Sequence, residues 1–409
     1  MVRGVRWRLA GLLICVVVGA CATTEAVEAR QLEPLDYTRA MPAIASEAWS
    51  ARGTLLSSSD HPAFDVDALP AGSAAYTMLY RSISGITGAP TEVSGAVFTP
   101  PGNPPDGGWP VIGYGHGTVG VTSECGPTGD PRLFGDIKAV AIQLALGYAV
   151  VFTDYAGLGK TSQTAPLKQS HAYLEPKSAA FNLIDAVRAA RVVVPQLSSR
   201  WVALGASQGG AAAWAAAEYD AGYGQGTDLL GAAAIVPTLD FSGLVQRAQD
   251  AKLTVEQLYL YPYIVTGLAG VDPAVHPDDY LHGTLRDNQN LLLSCGSDAA
   301  QRKEQLATAL SAADATPSSA SAADRLRRRL VAYALPQQPT KIPILAVYGG
   351  ADDTVAPEWT EVAMGRACAL GDTVLRARIE GQGHTLDPGA LLGQWVADRF
   401  AGVQAKGNC

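Results

Sequence analysis

Long apolar runs, excess positive charge and metal-binding cysteine pairs are all missing from this 409-residue sequence. The apolar stretch at residues 9–20 covers about a dozen residues, whereas a membrane-spanning helix needs roughly 20. We therefore expect no permanent transmembrane anchor. No CxxC or CxxH spacing occurs, so the sequence predicts no zinc site and no other metal centre.

Charged residues are also scarce, at 17% of the chain, and the 38 acidic residues outnumber the 30 basic ones. The densest basic run, at residues 325–329, is typical of a solvated helix face rather than of a phosphate-binding surface. We therefore expect no nucleic-acid partner. Hydrophobic residues make up 48% of the sequence, which supports a large buried core and predicts a globular protein.

The first 21 residues are typical of an export signal. Arg3, Arg6 and Arg8 precede the apolar residues 9–20, in the order of a secretory signal peptide. The apolar stretch ends in Val18-Gly19-Ala20-Cys21, which resembles a bacterial lipobox, in which the cysteine is lipidated. We therefore expect an exported cell-envelope lipoprotein, attached to the membrane through Cys21. A plain secretory signal, giving a periplasmic or secreted protein, is the alternative.

The remaining cysteines form an even set in a chain predicted to be exported. Once Cys15 and Cys21 are assigned to the signal, four are left: Cys125, Cys295, Cys368 and Cys409. This number predicts two disulfides, with free buried thiols as the alternative. Four cysteines allow three pairings, and the residues alone leave the choice open.

Strand and helix patterns alternate over most of the chain. The polar residues 22–74 predict a tether and an irregular N-terminal extension over the core. Apolar runs without alternation are typical of strands buried on both faces, so the order of elements predicts an α/β fold. In this fold a mostly parallel sheet has helices on both faces. The predicted strands are residues 75–84, 93–99, 110–114, 149–153, 201–205, 232–236, 342–348 and 374–379; the predicted helices are residues 134–146, 178–194, 208–219 and 390–400.

Residues 239–340 interrupt this alternation, because helical and loop patterns follow one another there without a strand. We predict a helical cap inserted into a core made of residues 75–238 and 341–409. Tyrosines and aliphatic residues cluster at residues 259–268. They either gate an apolar acyl pocket or form the packing core of the cap.

Gly205-Ala206-Ser207-Gln208-Gly209 is a G-x-S-x-G motif between a predicted strand and a predicted helix. In this context the motif forms a sharp turn that exposes a nucleophilic serine, and its glycines leave room for the tight backbone. We therefore predict that Ser207 is the nucleophile of a serine hydrolase.

A serine hydroxyl needs a histidine base held by a carboxylate. After Ser207 the histidines are His276, His282 and His384, and His384 alone follows the last predicted strand. The acid should follow the strand before it, where Asp352 and Asp353 compete. We prefer Asp352, because it stands in a G-x-x-D-x-x-V spacing.

Ester hydrolysis also needs backbone N–H groups that hold the oxyanion. Gln208 supplies one as the residue after the nucleophile. The second should come from Gly115-His116-Gly117-Thr118 after the third predicted strand, with Thr118 as first choice and His116 as second.

These motifs together resemble the secretory lipase family of α/β-hydrolases, over about residues 75–409. The resemblance adds Asp154-Tyr155-Ala156-Gly157-Leu158-Gly159 and Ser207-Gln208-Gly209-Gly210 to the motifs above. It implies an α/β-hydrolase fold with a helical cap between the sixth and seventh strands. It also implies the disulfides Cys125–Cys295 and Cys368–Cys409, and a non-catalytic role for Asp154 and Tyr155 in shaping their loop.

The leading hypothesis is therefore an exported carboxylesterase or lipase that forms an acyl-enzyme on Ser207 and needs no cofactor. Its partner would be a small-molecule or lipid ester. Three alternatives stay open: the same triad used for acyl transfer, the same triad used for peptide hydrolysis, and a catalytically silent lipid-binding module. The oligomeric state is not indicated by the sequence.

Overall fold

A computed structural model describes residues 39–60, 62–162 and 170–409. The predicted signal peptide, the lipidation site Cys21 and the start of the predicted extension lie outside these residues. The described part from residue 39 onward belongs to one folded unit, Leu35–Cys409. No helix within the described residues has the length and apolar character needed to cross a membrane.

Within the described residues, nine strands, numbered in chain order with the bounds given at the end of this paragraph, form a single sheet in the order β1-β2-β3-β5-β4-β6-β7-β8-β9. The pairs β1–β2, β2–β3 and β3–β5 are antiparallel, and every later pair is parallel. The prediction of a mostly parallel sheet is thus confirmed. The strands are β1 Leu55–Ser59, β2 Ala74–Ile83, β3 Pro90–Thr99, β4 Trp109–Gly115, β5 Ala149–Thr153, β6 Leu197–Ala206, β7 Asp228–Ile235, β8 Ile344–Gly349 and β9 Val374–Ile379.

Helices cover both faces of this sheet, as predicted. Alternate strand residues such as Val111, Val151 and Ala203 pack against α3, α4 and α11 on one face. Their neighbours, among them Ile112 and Val202, pack against α2 and α12 on the other. The helices are α1 Ser46–Ala51, α2 Ile137–Ala145, α3 Pro176–Val193, α4 Gln208–Tyr223, α5 Leu244–Gln249, α6 Val255–Ala269, α7 Gly283–Asp287, α8 Gln289–Leu293, α9 Ser297–Leu306, α10 Ala320–Tyr333, α11 Pro357–Leu370 and α12 Gly389–Phe400.

The segment between β7 and β8, here called the insertion (residues 236–343), carries α5 to α10. It contains no strand, and the structure describes all of its residues. The insertion has its own hydrophobic core, in which Tyr261, Ile264 and Leu268 of α6 are buried. Most of the predicted aromatic and aliphatic cluster therefore packs inside the insertion.

Two disulfides are present, with the pairing that the resemblance implied. Cys125–Cys295 joins the loop after β4 to the insertion, with a Cα–Cα distance of 5.6 Å. Cys368–Cys409 joins α11 to the C-terminal tail, with a Cα–Cα distance of 5.1 Å.

The N-terminal extension is more regular than the sequence analysis predicted. It contains the short helix α1 and the strand β1, which pairs with β2 and forms one edge of the sheet. The sequence Leu-Leu-Ser-Ser-Ser of β1 has little strand character of its own, and its last three residues are exposed. Pairing with β2 stabilises this edge strand.

Candidate active site

Ser207 lies between the end of β6 and the first residue of α4, as the motif predicted. Its backbone has φ 56° and ψ −117°, a conformation that is rare for a residue with a side chain. The flanking glycines are required by close packing: a Cβ at Gly209 would overlap the carbonyl oxygen of Gly115, and one at Gly205 would overlap Gly209. The turn therefore holds the serine in strained geometry at the carboxyl end of the sheet.

His384 lies in the loop after β9 and bridges two side chains from other parts of the chain. Its Nε2 is 2.9 Å from the Ser207 Oγ, and its Nδ1 is 2.8 Å from an Asp352 carboxylate oxygen. In the tautomer that carries the proton on Nδ1, the ring donates to Asp352 and accepts from the Ser207 hydroxyl. The structure thus brings together Ser207, His384 and Asp352, while His276 and His282 lie in the insertion.

Of the two competing aspartates, Asp352 is the one that contacts the histidine. It is 6% exposed, and its second carboxylate oxygen accepts the N–H groups of Thr354 and Val355, each at 2.9 Å. Asp353 is exposed, and its carbonyl oxygen accepts a hydrogen bond from the Thr254 hydroxyl at 2.8 Å. The turn therefore orients only Asp352 toward the imidazole.

The loop after β4 carries the two residues considered as oxyanion donors. The hydroxyl of Thr118 is 2.6 Å from the Tyr173 hydroxyl. The His116 side chain is fully buried, with its ring nitrogens near the carbonyl oxygens of Gly117 and Asp154. Burial lowers the pKa of His116 to about 4, so the ring is neutral at physiological pH. The imidazole of His116 therefore packs in the core.

A family model of secretory lipases matches residues 135–408, about two thirds of the chain. The chain belongs to the secretory lipase family. It is therefore a carboxylic ester hydrolase, as the sequence motifs predicted. No curated protein sequence gives a significant match.

Solved structures support the fold of this secretory lipase. The rice cell wall degrading esterase LipA from Xanthomonas oryzae superposes with a TM-score of 0.64 at 22% identity, covering 86% of this chain and 97% of LipA. Candida antarctica lipase A in its closed state gives a TM-score of 0.65 at 16% identity, covering 89% of this chain and 86% of that one. A putative hydrolase from Legionella pneumophila gives 0.63 at 16% identity, with coverages of 80% and 88%. These likenesses confirm the α/β-hydrolase fold.

His171 is a buried residue of the secretory lipase that the sequence analysis missed. Its Nδ1 lies 3.0 Å from the Ala156 carbonyl oxygen and therefore donates. Its Nε2 then accepts from the side-chain amide of Gln208 at 2.9 Å. Burial lowers the pKa of His171 to about 4, which keeps the acceptor nitrogen free of a proton. No sequence pattern pointed to His171, since it precedes Ser207 and lies outside the family's motifs.

Asp154 is fully buried behind the site. Its carboxylate accepts hydrogen bonds from the hydroxyls of Ser94 and Thr128 and from the Thr128 N–H. Burial raises its pKa to about 6, and these hydrogen bonds oppose the shift. Asp154 thus connects its loop to the turn after Cys125, and it contacts none of Ser207, His384 and Asp352.

Two cavities are each lined by one of the residues predicted as oxyanion donors. One, of about 270 Å³, is mostly apolar and is lined in part by Tyr155, His171 and Gln208. The other, of about 710 Å³, is lined by Thr118 and by residues of the insertion, including Tyr263 and Lys303. The first begins beside Gln208 and the second beside Thr118, so each opens next to one predicted oxyanion donor.

Proposed function

We propose that this secretory lipase cleaves esters through a covalent acyl-enzyme on Ser207, with His384 as base and Asp352 as the acid that orients it. One observation carries the proposal. His384 lies within hydrogen-bond distance of both Ser207 and Asp352, and the three residues come from loops after three different strands.

In the first half of the reaction, the Ser207 oxygen attacks the ester carbonyl carbon while His384 Nε2 takes the hydroxyl proton. Asp352 stabilises the imidazolium that forms. The carbon–alkoxide bond then breaks, His384 returns the proton to the leaving alcohol, and the acyl group stays on Ser207. Asp352 performs this role without itself taking the proton.

In the second half, His384 removes a proton from water, which attacks the acyl-enzyme and releases the acid and free Ser207. In both halves an oxyanion forms on the carbonyl oxygen. We propose the backbone N–H groups of Gln208 and Thr118 as its donors, since preorganised donors of this kind lower the barrier by several kcal/mol. The bond from Gln208 to His171 supports this role, because it fixes the residue that carries the first donor.

The direct test compares Ser207→Ala with Ser50→Ala, a matched change at an exposed serine that bonds only within its own helix. We expect Ser207→Ala to lower turnover of p-nitrophenyl esters, from acetate to palmitate, by roughly four to six powers of ten. Ser50→Ala should leave turnover unchanged. Full activity in Ser207→Ala would refute the mechanism. Products formed with added alcohol acceptors or peptide substrates would separate hydrolysis from acyl transfer and peptidase activity.

We further propose that the mature protein is exported and anchored through a lipid on Cys21. The two disulfides support export, since such bonds persist in oxidising compartments. Mass spectrometry of the mature N terminus tests the anchor. A diacylglycerol-sized mass on Cys21 that Cys21→Ser abolishes is expected, whereas cleavage elsewhere with an unmodified Cys21 would show a plain secretory signal.

For the domain organisation, we propose that residues 239–340 act as a cap over a core formed by residues 75–238 and 341–409. The contribution of Tyr263 to the cavity beside Thr118 supports this division. Tyr263→Ala should change the ratio of activities toward short and long esters. An unchanged chain-length profile would argue against a role of the cap in substrate choice.

A further inference from the structure

Lys303 of α9 is a partly buried cation that lines the larger of the two cavities. Its ammonium group donates to the Tyr263 hydroxyl at 2.6 Å and to the Ser294 carbonyl oxygen at 2.5 Å. An ammonium group has three donors, so one remains. Among the residues that the structure describes, no carboxylate forms an ion pair with Lys303.

A lysine in this position is costly, because buried lysines are normally paired. Desolvation lowers the pKa of Lys303 to about 8, and no neighbouring carboxylate opposes the shift. The ammonium group is thus held in place by two neutral oxygens and is available to an anion that enters the cavity.

Other side chains give the same cavity a positive character in a chain whose net charge is −8. Lys138 and Arg132 also line it, on the side formed by α2 and the preceding loop. The one acidic residue of the lining, Asp130, accepts the backbone N–H groups of Arg132 and Phe134. Both N–H groups bind the Oδ1 of Asp130, which holds this carboxylate in its own turn. Arg132 forms a surface ion pair with Asp65 at 3.4 Å, so Lys138 and Lys303 carry most of the positive character.

Lys303 is connected to the proposed oxyanion site through aromatic side chains. Thr118 lines the cavity, and its hydroxyl contacts that of Tyr173. The Tyr173 ring lies 6.2 Å from the Tyr263 ring, measured between centroids, and the Tyr263 hydroxyl accepts from Lys303. Contacts between Thr118, Tyr173 and Tyr263 thus form a continuous series from the Thr118 loop to Lys303.

We propose that this cavity binds a carboxylate carried by the ester substrate, with Lys303 as the specificity-determining residue. The inference rests on the proposed function of Ser207 and narrows its substrate class to anionic esters. The carboxylate can belong to the acyl part or to the alcohol part of the ester, and the two are distinguished by experiment.

The test uses two matched pairs of probes with the full-length enzyme. For the acyl side, the p-nitrophenyl monoester of adipic acid is compared with p-nitrophenyl hexanoate. For the alcohol side, the butyrate ester of 4-hydroxybenzoic acid is compared with that of methyl 4-hydroxybenzoate. For each pair, the ratio of anionic to neutral kcat/KM is measured for the native enzyme and for each variant. Comparing this ratio between enzymes cancels the difference in intrinsic reactivity between the two probes.

Lys303→Met removes the charge and keeps a long apolar side chain. We expect the ratio of anionic to neutral kcat/KM to fall about tenfold for at least one pair, the typical effect of losing one charge-assisted contact of about 1.4 kcal/mol. Arg302→Met is the control, because Arg302 is the exposed neighbour in α9 and does not line the cavity. Lys303→Arg keeps the charge and should retain the ratio.

A fall in one pair assigns the carboxylate to that side of the ester and supports the proposal. The proposal is overturned if Lys303→Met leaves both ratios unchanged, or if Arg302→Met lowers them equally. Failure of the proposed function is distinguishable, because Ser207→Ala would then keep hydrolysing both members of each pair.

Discussion

The adjacent aspartates in the loop after β8 allow a sharp test of the catalytic assignment. In Asp352→Asn, the new side-chain NH₂ group would face the Nδ1 of His384, which lies 2.8 Å from the carboxylate in the native protein. The imidazole proton would move to Nε2, and Nε2 could no longer accept the Ser207 proton. Loss of the correct tautomer lowers kcat by about four powers of ten, or about 5 kcal/mol.

Asp353→Asn is the matched control, since the Asp353 side chain is exposed. The hydrogen bond from Thr254 is accepted by the main-chain carbonyl of Asp353, which the substitution keeps. The kcat of Asp353→Asn should stay within about a factor of two, as for other surface substitutions. Steady-state hydrolysis of p-nitrophenyl butyrate measures both variants, and circular dichroism checks that each is folded. The assignment would be refuted if Asp353→Asn lost activity while Asp352→Asn, still folded, retained it.

Three further predictions concern the stability of the fold. Gly209→Ala should destabilise the fold by about 3 kcal/mol or more in urea unfolding, because its Cβ has no room. Gly222→Ala in the same helix would place its Cβ in ordinary contact with the Met41 side chain, at 3.7 Å, and should stabilise the fold by about 0.5–1 kcal/mol. Equal effects would contradict the close packing at Gly209. Burial raises the pKa of Glu218 to about 8 from 4.5, so the free energy of unfolding should fall as pH rises between these values, by up to about 1.4 kcal/mol per pH unit. Glu218→Gln should flatten that dependence, and an unchanged slope would rule out Glu218 as its source. Replacing Cys125 and Cys295 by Ser should cost about 5 kcal/mol, about 1 kcal/mol more than replacing Cys368 and Cys409, because the first bond closes a loop of 170 residues and the second closes one of 41. The reverse order would contradict this reasoning.

The central strands were predictable because burial on both faces requires continuous apolar sequence. The prediction for residues 149–153 coincides with β5, whose five residues are all buried. The prediction for residues 374–379 coincides with β9, an edge strand that is mostly half-buried. The residue at which a helix begins depends on local backbone geometry that the apolar pattern does not reveal. The helix predicted from residue 134 begins at Ile137, because Phe134 has a left-handed backbone with φ 50° in the preceding turn. The edge strand β1 escaped prediction, since its stability comes from its partner strand.

The same distinction applies to the site. Ser207, Asp352 and His384 follow three strands whose carboxyl ends meet at one edge of a parallel sheet, so chain order alone predicted their proximity. His171 lies in a loop and Lys303 in a helix of the insertion, and no comparable rule predicts their positions. Their contacts with Gln208 and Tyr263 are defined only in the folded chain.

Two hydrogen bonds connect the insertion to the loop that carries Asp352. The hydroxyl of Thr254, the N-terminal cap of α6, donates to the Asp353 carbonyl oxygen at 2.8 Å, and Gln257 in the first turn of α6 donates to the Thr354 carbonyl oxygen at 3.2 Å. Thr254 and Gln257 also hold each other in a reciprocal capping box, which fixes the start of the helix. Farther along α6, Tyr263 lines the cavity that contains Lys303. The first turn of α6 is therefore anchored to the loop that carries Asp352, and Pro262 separates this turn from Tyr263 within the helix.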